Sequence, residues 1–408
     1  MSKLEELIQE LCPDGVETFP LEECCNILDK KRKPVTKNSR EKGEYPYYGA
    51  NGVQDYVSDY IFNGKFVLVG EDGSVITKSG TPVVTWAEGK IWVNNHAHVI
   101  EEKSGTMLRY LYFYIQTIDV TSLIHGNIPK LTGRDFRSLK IALPPLEIQR
   151  EIVSILDNFT ELTAELTAEL TARKTQYTYY RDKLLANSYK GEIKQLEECC
   201  DSIADGDHQA PPKADSGVPF ITISDIDERH EINLNVTKYV PDEYYNRLAD
   251  KRRPQKGDVL YTVVGSYGIP VYISENKRFV FQRHIAILRP NNAVIDSRYL
   301  YHAMNGTAFH RQADLAAKGA AQKTIGLASL AKMTVPVPPL DVQNRIVNVL
   351  DNFEKICSDL NIGLPAEIEA RQKQYEYYRD KLLTFAETGN TILNGTERNG
   401  TERNGTEL

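Results

Sequence analysis

The chain has 408 residues, of which 41% are hydrophobic and 26% charged, and its net charge is −7. This length predicts two or three domains, and the ordinary composition excludes a disordered or fibrous protein. The acidic balance excludes an overall basic coat for nucleic acid but leaves room for local basic patches.

Cysteine use and hydropathy indicate the cellular environment. Six cysteines are too few for a disulfide scaffold, and the first residues lack the apolar core of a signal peptide. No apolar run approaches the roughly 20 residues that span a bilayer. We therefore expect a cytoplasmic protein that is not embedded in a membrane.

The N-terminal segment, residues 1–20, places Leu4, Ile8 and Leu11 at helical spacing before a turn at Pro13-Asp-Gly15. Because this segment precedes the first half of the chain, we expect it to pack beside the end of the C-terminal helix and close a pseudo-twofold arrangement.

Residues 21–143 form the first of two divergent blocks. Short apolar runs at Phe66-Val-Leu-Val69 and Ile91-Trp-Val93 predict strands, and Gly70-Glu-Asp-Gly73 predicts a turn. Residues 30–42 hold seven cations against one acid, and a small-residue loop with a cation follows at Gly126-Asn-Ile-Pro-Lys130. We expect a mixed α/β domain that carries a phosphate-binding patch.

Residues 144–190 predict one long helix, from about Leu146 to Ala186, that begins after Pro144-Pro145 and carries an apolar stripe at spacings of three and four. It contains a repeat of four residues, made up of Thr163, Ala164, Glu165 and Leu166 and then Thr167, Ala168, Glu169 and Leu170. We interpret this repeat as a spacer of adjustable length, although it could simply keep the stripe rich in leucine.

Residues 191–337 form the second block. Strands are predicted at Asp258–Val264 and Phe279–Leu288, and a second small-residue loop follows at Lys318-Gly-Ala-Ala-Gln-Lys323. The C-terminal segment, 338–386, predicts a second long helix with a break at Asn361-Ile-Gly-Leu-Pro365. The tail, 387–408, repeats Asn-Gly-Thr-Glu-Arg and is predicted to be disordered.

Internal repeats show that the chain is a tandem duplication. Leu21-Glu-Glu-Cys-Cys25 recurs from Leu196, and the segment from Pro144 to Phe159 recurs 194 residues later, from Pro338 to Phe353. A third block, Gln176 to Leu185, recurs after 198 residues. A duplicated scaffold with two divergent blocks implies two similar tasks on two different targets.

Candidate nucleic-acid contacts combine cations for phosphates with amide, guanidinium and imidazole groups for base edges. These candidates are Lys30, Lys31, Arg32, Lys33, Lys37, Arg40, Asn94, Asn95, His96, Asn127 and Lys130 in the first block, and Arg252, Arg253, Lys256, Arg278, Gln282, Arg283, His284, Lys318, Gln322 and Lys323 in the second. The alternative for each is a solvated surface position.

Searches for catalytic motifs fail. No Gly-x-x-x-x-Gly-Lys-Ser/Thr loop is present, and the residues around both Pro-Pro pairs lack the side chains of an amino-methyltransferase. His96-Ala-His98 has no further ligand at suitable spacing, so we predict no metal site. The adjacent cysteines at 24–25 and 199–200 are better explained as small buried residues.

The Pro-Pro-Leu helices, the Thr-Ala-Glu-Leu repeat, the Tyr-Tyr-Arg-Asp-Lys-Leu-Leu blocks and Tyr47-Tyr-Gly-Ala-Asn-Gly52 carry a family resemblance over residues 1 to about 386. The chain resembles the DNA specificity subunit of type I restriction-modification enzymes, and its four-residue repeat is similar to that of the type IC branch.

The resemblance implies an α+β fold, with two mixed α/β target-recognition domains joined by two long antiparallel coiled-coil helices in a pseudo-twofold duplication. It implies double-stranded DNA, two modification subunits and, through them, restriction subunits as partners. This chain would hold no cofactor, whereas S-adenosylmethionine, ATP and Mg would be bound by the partners. Two other classes stay open: an adaptor without DNA affinity, and an enzyme with its own active site.

Overall fold

The computed structural model describes residues 3–73, 75–187, 192–206, 211–358 and 363–388, without the side chains of residues 187 and 384–388. The described residues divide into two compact units. Unit 1 holds those up to Ala164 together with those from Glu369 onward, and unit 2 holds those from Glu165 to Ile368.

Unit 1 is built on a six-stranded sheet, and its helices pack on one face of that sheet. Its elements up to the long helix are α1 (Lys3–Leu11), β1 (Thr18–Pro20), α2 (Leu21–Cys24), β2 (Asn26–Ile27), β3 (Lys42–Gly49), β4 (Gly52–Val57), β5 (Phe62–Gly70), β6 (Val84–Val93), β7 (Ala97–Glu101), α3 (Leu108–Ile115), β8 (Ile124–His125), β9 (Lys130–Leu131), α4 (Gly133–Arg137) and β10 (Lys140–Ala142). The sheet order is β2-β7-β5-β6-β3-β4, in which only β3 and β6 pair in parallel. The predicted strands at 66–69 and 91–93 are confirmed as parts of β5 and β6.

The long helix α5 runs from Leu146 to Asn187, which confirms the helix predicted over 146–186. Two prolines precede it, and proline suits a helix start because the first turn has no partner for its N–H groups. Its buried side chains Ile148, Ile152 and Leu156 join the core of unit 1, which also holds Leu4 and Ile8 of α1.

Unit 2 contains smaller sheets, β12-β18-β15-β16, β14-β13-β17 and β11-β19. Its elements are β11 (Glu192–Gln195), α6 (Leu196–Cys199), β12 (Cys200–Asp205), β13 (Val218–Ile221), β14 (Tyr239–Val240), α7 (Asp242–Arg247), β15 (Val259–Thr262), β16 (Pro270–Tyr272), β17 (Val280–Phe281), β18 (Ile285–Pro290), α8 (Ser297–Met304), α9 (Thr307–Ala316), α10 (Leu327–Ala331), β19 (Thr334–Val337) and α11 (Leu340–Ser358). The last helix, α12 (Leu364–Thr388), begins at the end of unit 2 and continues in unit 1.

One strand prediction in the second block is wrong. The run Phe279–Leu288 is two strands, β17 and β18, because residues 282–284 form a turn closed by the Ile285 N–H, which donates to the Gln282 carbonyl at 3.1 Å. This turn displays Gln282, Arg283 and His284 between strands rather than within one.

The predicted helix break near residues 361–365 falls between α11 and α12, and its residues up to 362 lie outside the described part of the chain. The tail predicted to be disordered lies outside it from residue 389 onward, after the end of α12 at Thr388.

The same contacts recur in both halves. Gln149 accepts from the Met107 N–H at 2.8 Å and donates to the carbonyls of Gly105 and Pro144. Gln343, 194 positions later, accepts from the Asp296 N–H at 2.7 Å and donates to the carbonyls of Val294 and Pro338. Both glutamines are fully buried, so each fastens the start of a long helix to the domain before it.

An aromatic pair is also repeated. In unit 1 the ring of Phe159 stacks on Tyr378, and in unit 2 the ring of Phe353 stacks on Tyr180. Since the repeats align Phe159 with Phe353 and Tyr180 with Tyr378, each pair takes one ring from each half of the sequence. Each unit is therefore completed by a helix segment that belongs to the other repeat.

The adjacent cysteines 24, 25 and 199 are buried, as predicted, whereas Cys200 is only partly buried. Cys24 and Cys25 are buried, and their thiols donate to the carbonyls of Pro20 and Leu21. Burial raises the pKa of Cys24 to about 11, and burial with the neighbouring Cys24 raises that of Cys25 to about 12. Thiols with such pKa values are poor nucleophiles and metal ligands at neutral pH.

Candidate nucleic-acid interface

The basic segment of unit 1 separates into exposed and engaged cations. Lys30, Lys31, Lys33, Lys37 and Lys42 are exposed along two short 3-10 turns and the start of β3. This surface can meet phosphates, because lysine ammonium groups in water are free to follow a charged backbone.

Arg32 is bound by protein acceptors, unlike the lysines beside it. Its side chain is 12% exposed, and its guanidinium donates to Glu71 at 2.6 Å and to the Ala97 carbonyl at 2.7 Å. It also lies 3.5 Å from Asp29. These acceptors hold the guanidinium in the folded chain, and the phosphate contact of Arg32 stays a prediction.

Asp29 is the centre of the same network. Its carboxylate accepts from His98 at 2.7 Å and from the Val99 N–H at 3.0 Å. Burial alone would raise the pKa of Asp29, but the bond and charge of His98, the Val99 N–H and Arg32 together hold it below its ordinary value. The network ties the basic segment to β7.

Arg40 is likewise engaged. It donates to Asp55 at 3.2 Å and to the Val35 carbonyl at 3.1 Å, and its guanidinium lies 4.1 Å from the ring centroid of Tyr47. The N–H of Tyr56 and the Arg40 guanidinium hold the pKa of Asp55 below its ordinary value. Arg40 is therefore bound within the domain, and its phosphate contact stays a prediction.

Cleft 1 lies in unit 1 and measures about 350 Å³; it is lined by Ala50, Asn51, Gln54, Asp72, Gly73, His96 and Ile128. His96 is half exposed and bonds to Asp72. The cleft brings together the predicted His96 and the predicted loop 126–130, where Asn127 is exposed and Lys130 lies 3.3 Å from Glu71.

Asn94 is hydrogen-bonded to two residues that line cleft 1, His96 and Gln54. It is buried, accepts from the His96 N–H at 2.8 Å, and donates to Gln54 at 3.4 Å. Asn94 therefore holds His96 and Gln54 in place, and its predicted base contact stays a prediction, whereas Asn95 beside it is exposed.

Asn51 and Gln54 are site residues that the sequence reasoning missed. Asn51 lies after β3 in the Tyr47-Tyr-Gly-Ala-Asn-Gly52 stretch, which carries part of the family resemblance, and Gln54 lies in β4. A Cβ at Gly49 would lie 2.1 Å from Nε2 of Gln54, so a larger residue there would require the Gln54 side chain to move.

Cleft 2 lies in unit 2 and measures about 630 Å³. Its polar lining contains the predicted Gln282, His284 and Gln322, together with Thr222, Ser224 and Ser266, which the sequence reasoning missed. The loop 318–323 is attached to this cleft, because the Lys323 carbonyl accepts from the N–H of Gly265, another lining residue, at 2.9 Å.

The predicted cations of unit 2 also fall into two groups, those that pair with acidic side chains and those that are exposed. Arg252 lies 3.9 Å from Asp205, Arg253 lies 3.6 Å from Asp250, and Arg278 lies 2.5 Å from Asp242. Arg278 remains 54% exposed, so its pair does not remove it from solvent. The other predicted cations are exposed: Lys256, Arg283, Lys318 and Lys323.

Two clusters offer metal-type ligand atoms among the described residues, namely Asp29, Glu71 and His98, and His302, Asp351 and Glu354. Each already contains a guanidinium, since Arg32 pairs with the first group and Arg298 with the second. We interpret both as ion-pair networks. His96 and His98 do not converge, because they bond to Asp72 and Asp29 respectively.

A duplicated α/β chain with a cleft of amide and imidazole groups in each half has the organisation of a two-part recognition protein. The family model described as the type I restriction modification DNA specificity domain matches residues 13–173 and again residues 190–370. The chain belongs to this family, as the resemblance in its motifs indicates.

Similar proteins agree with this assignment. A Haemophilus influenzae protein named as a type I restriction enzyme specificity subunit is 35% identical over 94% of this chain and 98% of its own length. The EcoR124I/EcoR124II specificity subunit of Escherichia coli is 34% identical over 70% of this chain and 72% of its own.

Solved structures share the fold. The S subunit of a type I restriction-modification system from M. genitalium matches with a TM-score of 0.54 and 14% identity, over 91% of this chain and 97% of that one. A chain from work on complex assembly and conformational transition of a type I system matches with a TM-score of 0.55 and 18% identity, over 92% and 98%. The predicted fold class is confirmed. None of the described helices has the length and apolar character that a membrane span requires.

Proposed function

We propose that this chain is the DNA specificity subunit of a type I restriction-modification complex. The domain of residues 21–143 reads one half of a bipartite site in double-stranded DNA, and the domain of residues 191–337 reads the other half. The observation that carries this proposal is the presence of one cleft of the same chemistry in each half of a duplicated chain.

The chemistry of the clefts suits base recognition. Asn and Gln side chains pair with adenine edges, His and Ser form single hydrogen bonds, and lysines nearby neutralise phosphates. Cleft 1 offers Asn51, Gln54 and His96, whereas cleft 2 offers Gln282, His284 and Gln322. Since the two sets differ in residue type and position, the two half-sites should differ in sequence.

The long helices set the distance between the half-sites and dock two modification subunits, which in turn bind the restriction subunits. Adenine methylation from S-adenosylmethionine and ATP- and Mg-dependent cleavage then belong to those partners, and this chain contributes specificity without catalysis. Support comes from the repeat at 163–170, which contains the division between the two units at Ala164 and Glu165.

The test is to express the chain with its modification subunits in a host without other adenine methylation and to map methylated adenines. We expect one motif of two defined halves with an unspecified spacer. An adaptor would give no methylation motif and no salt-dependent DNA affinity, and either result would contradict the proposal.

Single variants should separate the two halves. Arg283→Ala or His284→Ala should change the bases accepted in the half-site read by residues 191–337, while His96→Ala should affect only the other half. Equal changes in both half-sites after either substitution would show that the domains do not read DNA independently.

A further inference from the structure

Two aliphatic side chains project into solvent beside the clefts. Among the large hydrophobic residues that the structure describes, three are more than 60% exposed: Ile128 at 69%, Ile193 at 71% and Leu315 at 85%. Ile128 lines cleft 1, and Leu315 lies next to the loop that borders cleft 2. Single exposed apolar residues are common on proteins, but here one lines cleft 1, and another, in α9, precedes the 318–323 loop that is attached to cleft 2.

The backbone around Ile128 is held firmly. The loop joins the paired strands β8 and β9, and the Pro129 carbonyl accepts from the Gly73 N–H at 3.0 Å. Gly126 supplies a left-handed turn with a φ of 85°, and Leu131 donates to the Glu71 carbonyl at 2.9 Å. A loop fixed at both ends presents the isoleucine outward.

Leu315 is held in a similar way at the end of α9. The neighbouring Asp314 accepts from the Tyr267 hydroxyl at 2.9 Å, and Tyr267 follows Ser266, which lines cleft 2. Beyond it, Lys318 and Thr324 exchange two backbone hydrogen bonds of 2.9 and 2.8 Å. The leucine therefore stands at the base of a closed loop that carries two exposed lysines.

Apolar side chains such as Ile and Leu are used by DNA-binding proteins as wedges between base pairs, where they unstack a step and kink the duplex. Modification of adenine also requires the base to leave the stack. We propose that Ile128 and Leu315 are such wedges, one in each half-site, inserted between base pairs while the nearby Lys130, Lys318 and Lys323 meet the flanking phosphates. This inference rests on the proposed function, whose motif supplies the DNA for the test.

The experiment uses the complex of this chain with its modification subunits and duplexes that carry the mapped motif, with 2-aminopurine placed at successive positions. Fluorescence of the analogue rises where a base loses its stacking neighbour. We expect the wild-type complex to raise fluorescence severalfold at one step in each half-site. Ile128→Ala should abolish the rise in its own half-site only and weaken binding about tenfold, because the buried apolar contact is lost.

Three further variants complete the design. Leu315→Ala should remove the signal in the other half-site, and Ile128→Leu, which keeps a wedge, should retain most of it. Ile193→Ala is the matched control, since Ile193 is exposed like the two wedge residues but lies on β11, which pairs with β19 and is not next to the 126–130 or the 318–323 loop in the chain.

The outcomes separate the two proposals. If the wild-type complex methylates no bipartite motif, the proposed function fails. If it methylates one but no analogue responds, or if Ile128→Ala and Leu315→Ala leave the signals intact, the wedge is excluded while the specificity function stands. Weaker binding of the variants without any fluorescence change in the wild type would assign the side chains to groove contacts, such as thymine methyl groups, and would also overturn the wedge.

Discussion

Three cations that are adjacent in sequence have different environments. Lys31 and Lys33 are exposed, whereas Arg32 between them is held by Glu71 and by backbone carbonyls. The sequence could not separate them, because Glu71 is 39 positions away and meets Arg32 only through the pairing of β5 with β7. A local excess of positive charge thus predicts a patch, but not which members of it are available.

This difference leads to the first prediction. Lys31→Ala with Lys33→Ala should weaken DNA binding by similar factors for all sequences and reduce the slope of log affinity against log salt by roughly 1–2, since each phosphate contact contributes about 0.9. Titrations at several salt concentrations, with specific and unrelated duplexes, measure both effects. Arg32→Ala should instead lower the unfolding free energy. A double lysine variant that altered base preference would contradict a phosphate role.

The second prediction concerns pH. The pKa of Asp29 is depressed in the folded protein, so its contribution to stability is present above the ordinary pKa of aspartate and is lost as the pH falls through the depressed value. Asp29→Asn should therefore lower the unfolding free energy at pH 7 by about 1–3 kcal/mol and make the acid loss of stability shallower. Urea unfolding between pH 7 and the acid limit measures this. Asp14→Asn, at an exposed position, is the control and should leave the unfolding free energy at pH 7 nearly unchanged.

Single elements were largely predictable, whereas the clefts were not. The stripe of Ile148, Ile152 and Ile155 is a local pattern, so the sequence predicts α5 almost to the residue. Cleft 2, in contrast, combines Ser224, Ser266, His284 and Gln322 from four separate segments. No local pattern encodes their proximity, which depends on how the strands pair.

The third prediction addresses the glutamine at the start of each long helix. Gln343→Ala leaves the Asp296 N–H without its acceptor and the carbonyls of Val294 and Pro338 without their donor. The free energy of unfolding should fall by about 1–3 kcal/mol, because buried polar groups lose their partners. Urea denaturation measures the loss, and Asn344→Ala, at the exposed neighbouring position, should cost little.

The sequence repeat predicts the same effect at Gln149, the equivalent glutamine of unit 1. Gln149→Ala removes the equivalent three bonds in unit 1 and should cost a similar amount. If one substitution lowered the free energy of unfolding strongly and the other had no effect, the repeated glutamine network would not have the same structural role in both halves.

At the scale of the whole chain, the duplication could be predicted, but not the composition of the units. The repeats by themselves do not say which helix segments complete each core, and each unit includes helical residues of the other half. The reason is physical: the Phe159 ring finds its partner in Tyr378, and the Phe353 ring finds its partner in Tyr180. These exchanged segments leave α5 as a single helix that belongs to both units, with the repeat at the point of division.

The fourth prediction follows from that position. One Thr-Ala-Glu-Leu unit advances an α-helix by four residues, which is about 40° beyond a full turn and about 6 Å of length. DNA turns about 34–36° per base pair. Inserting one unit between Thr163 and Leu170 should therefore give a recognition site whose halves lie one base pair further apart, and deleting one should bring them one base pair closer, with the bases of each half unchanged.

Mapping of methylated adenines in the host measures the spacer directly. Thr167→Ala, which alters the composition of the repeat but not its length, should leave the spacer as it is in the wild type.

The rotation matches one base pair, but about 6 Å of helix exceeds the roughly 3.4 Å rise of one base pair, so rotation and not length must select the new spacing. If length selected it, one inserted unit would add nearly two base pairs. An unchanged spacer, or new bases within either half-site, would contradict this prediction. The repeat would then serve only to keep the apolar stripe rich in leucine.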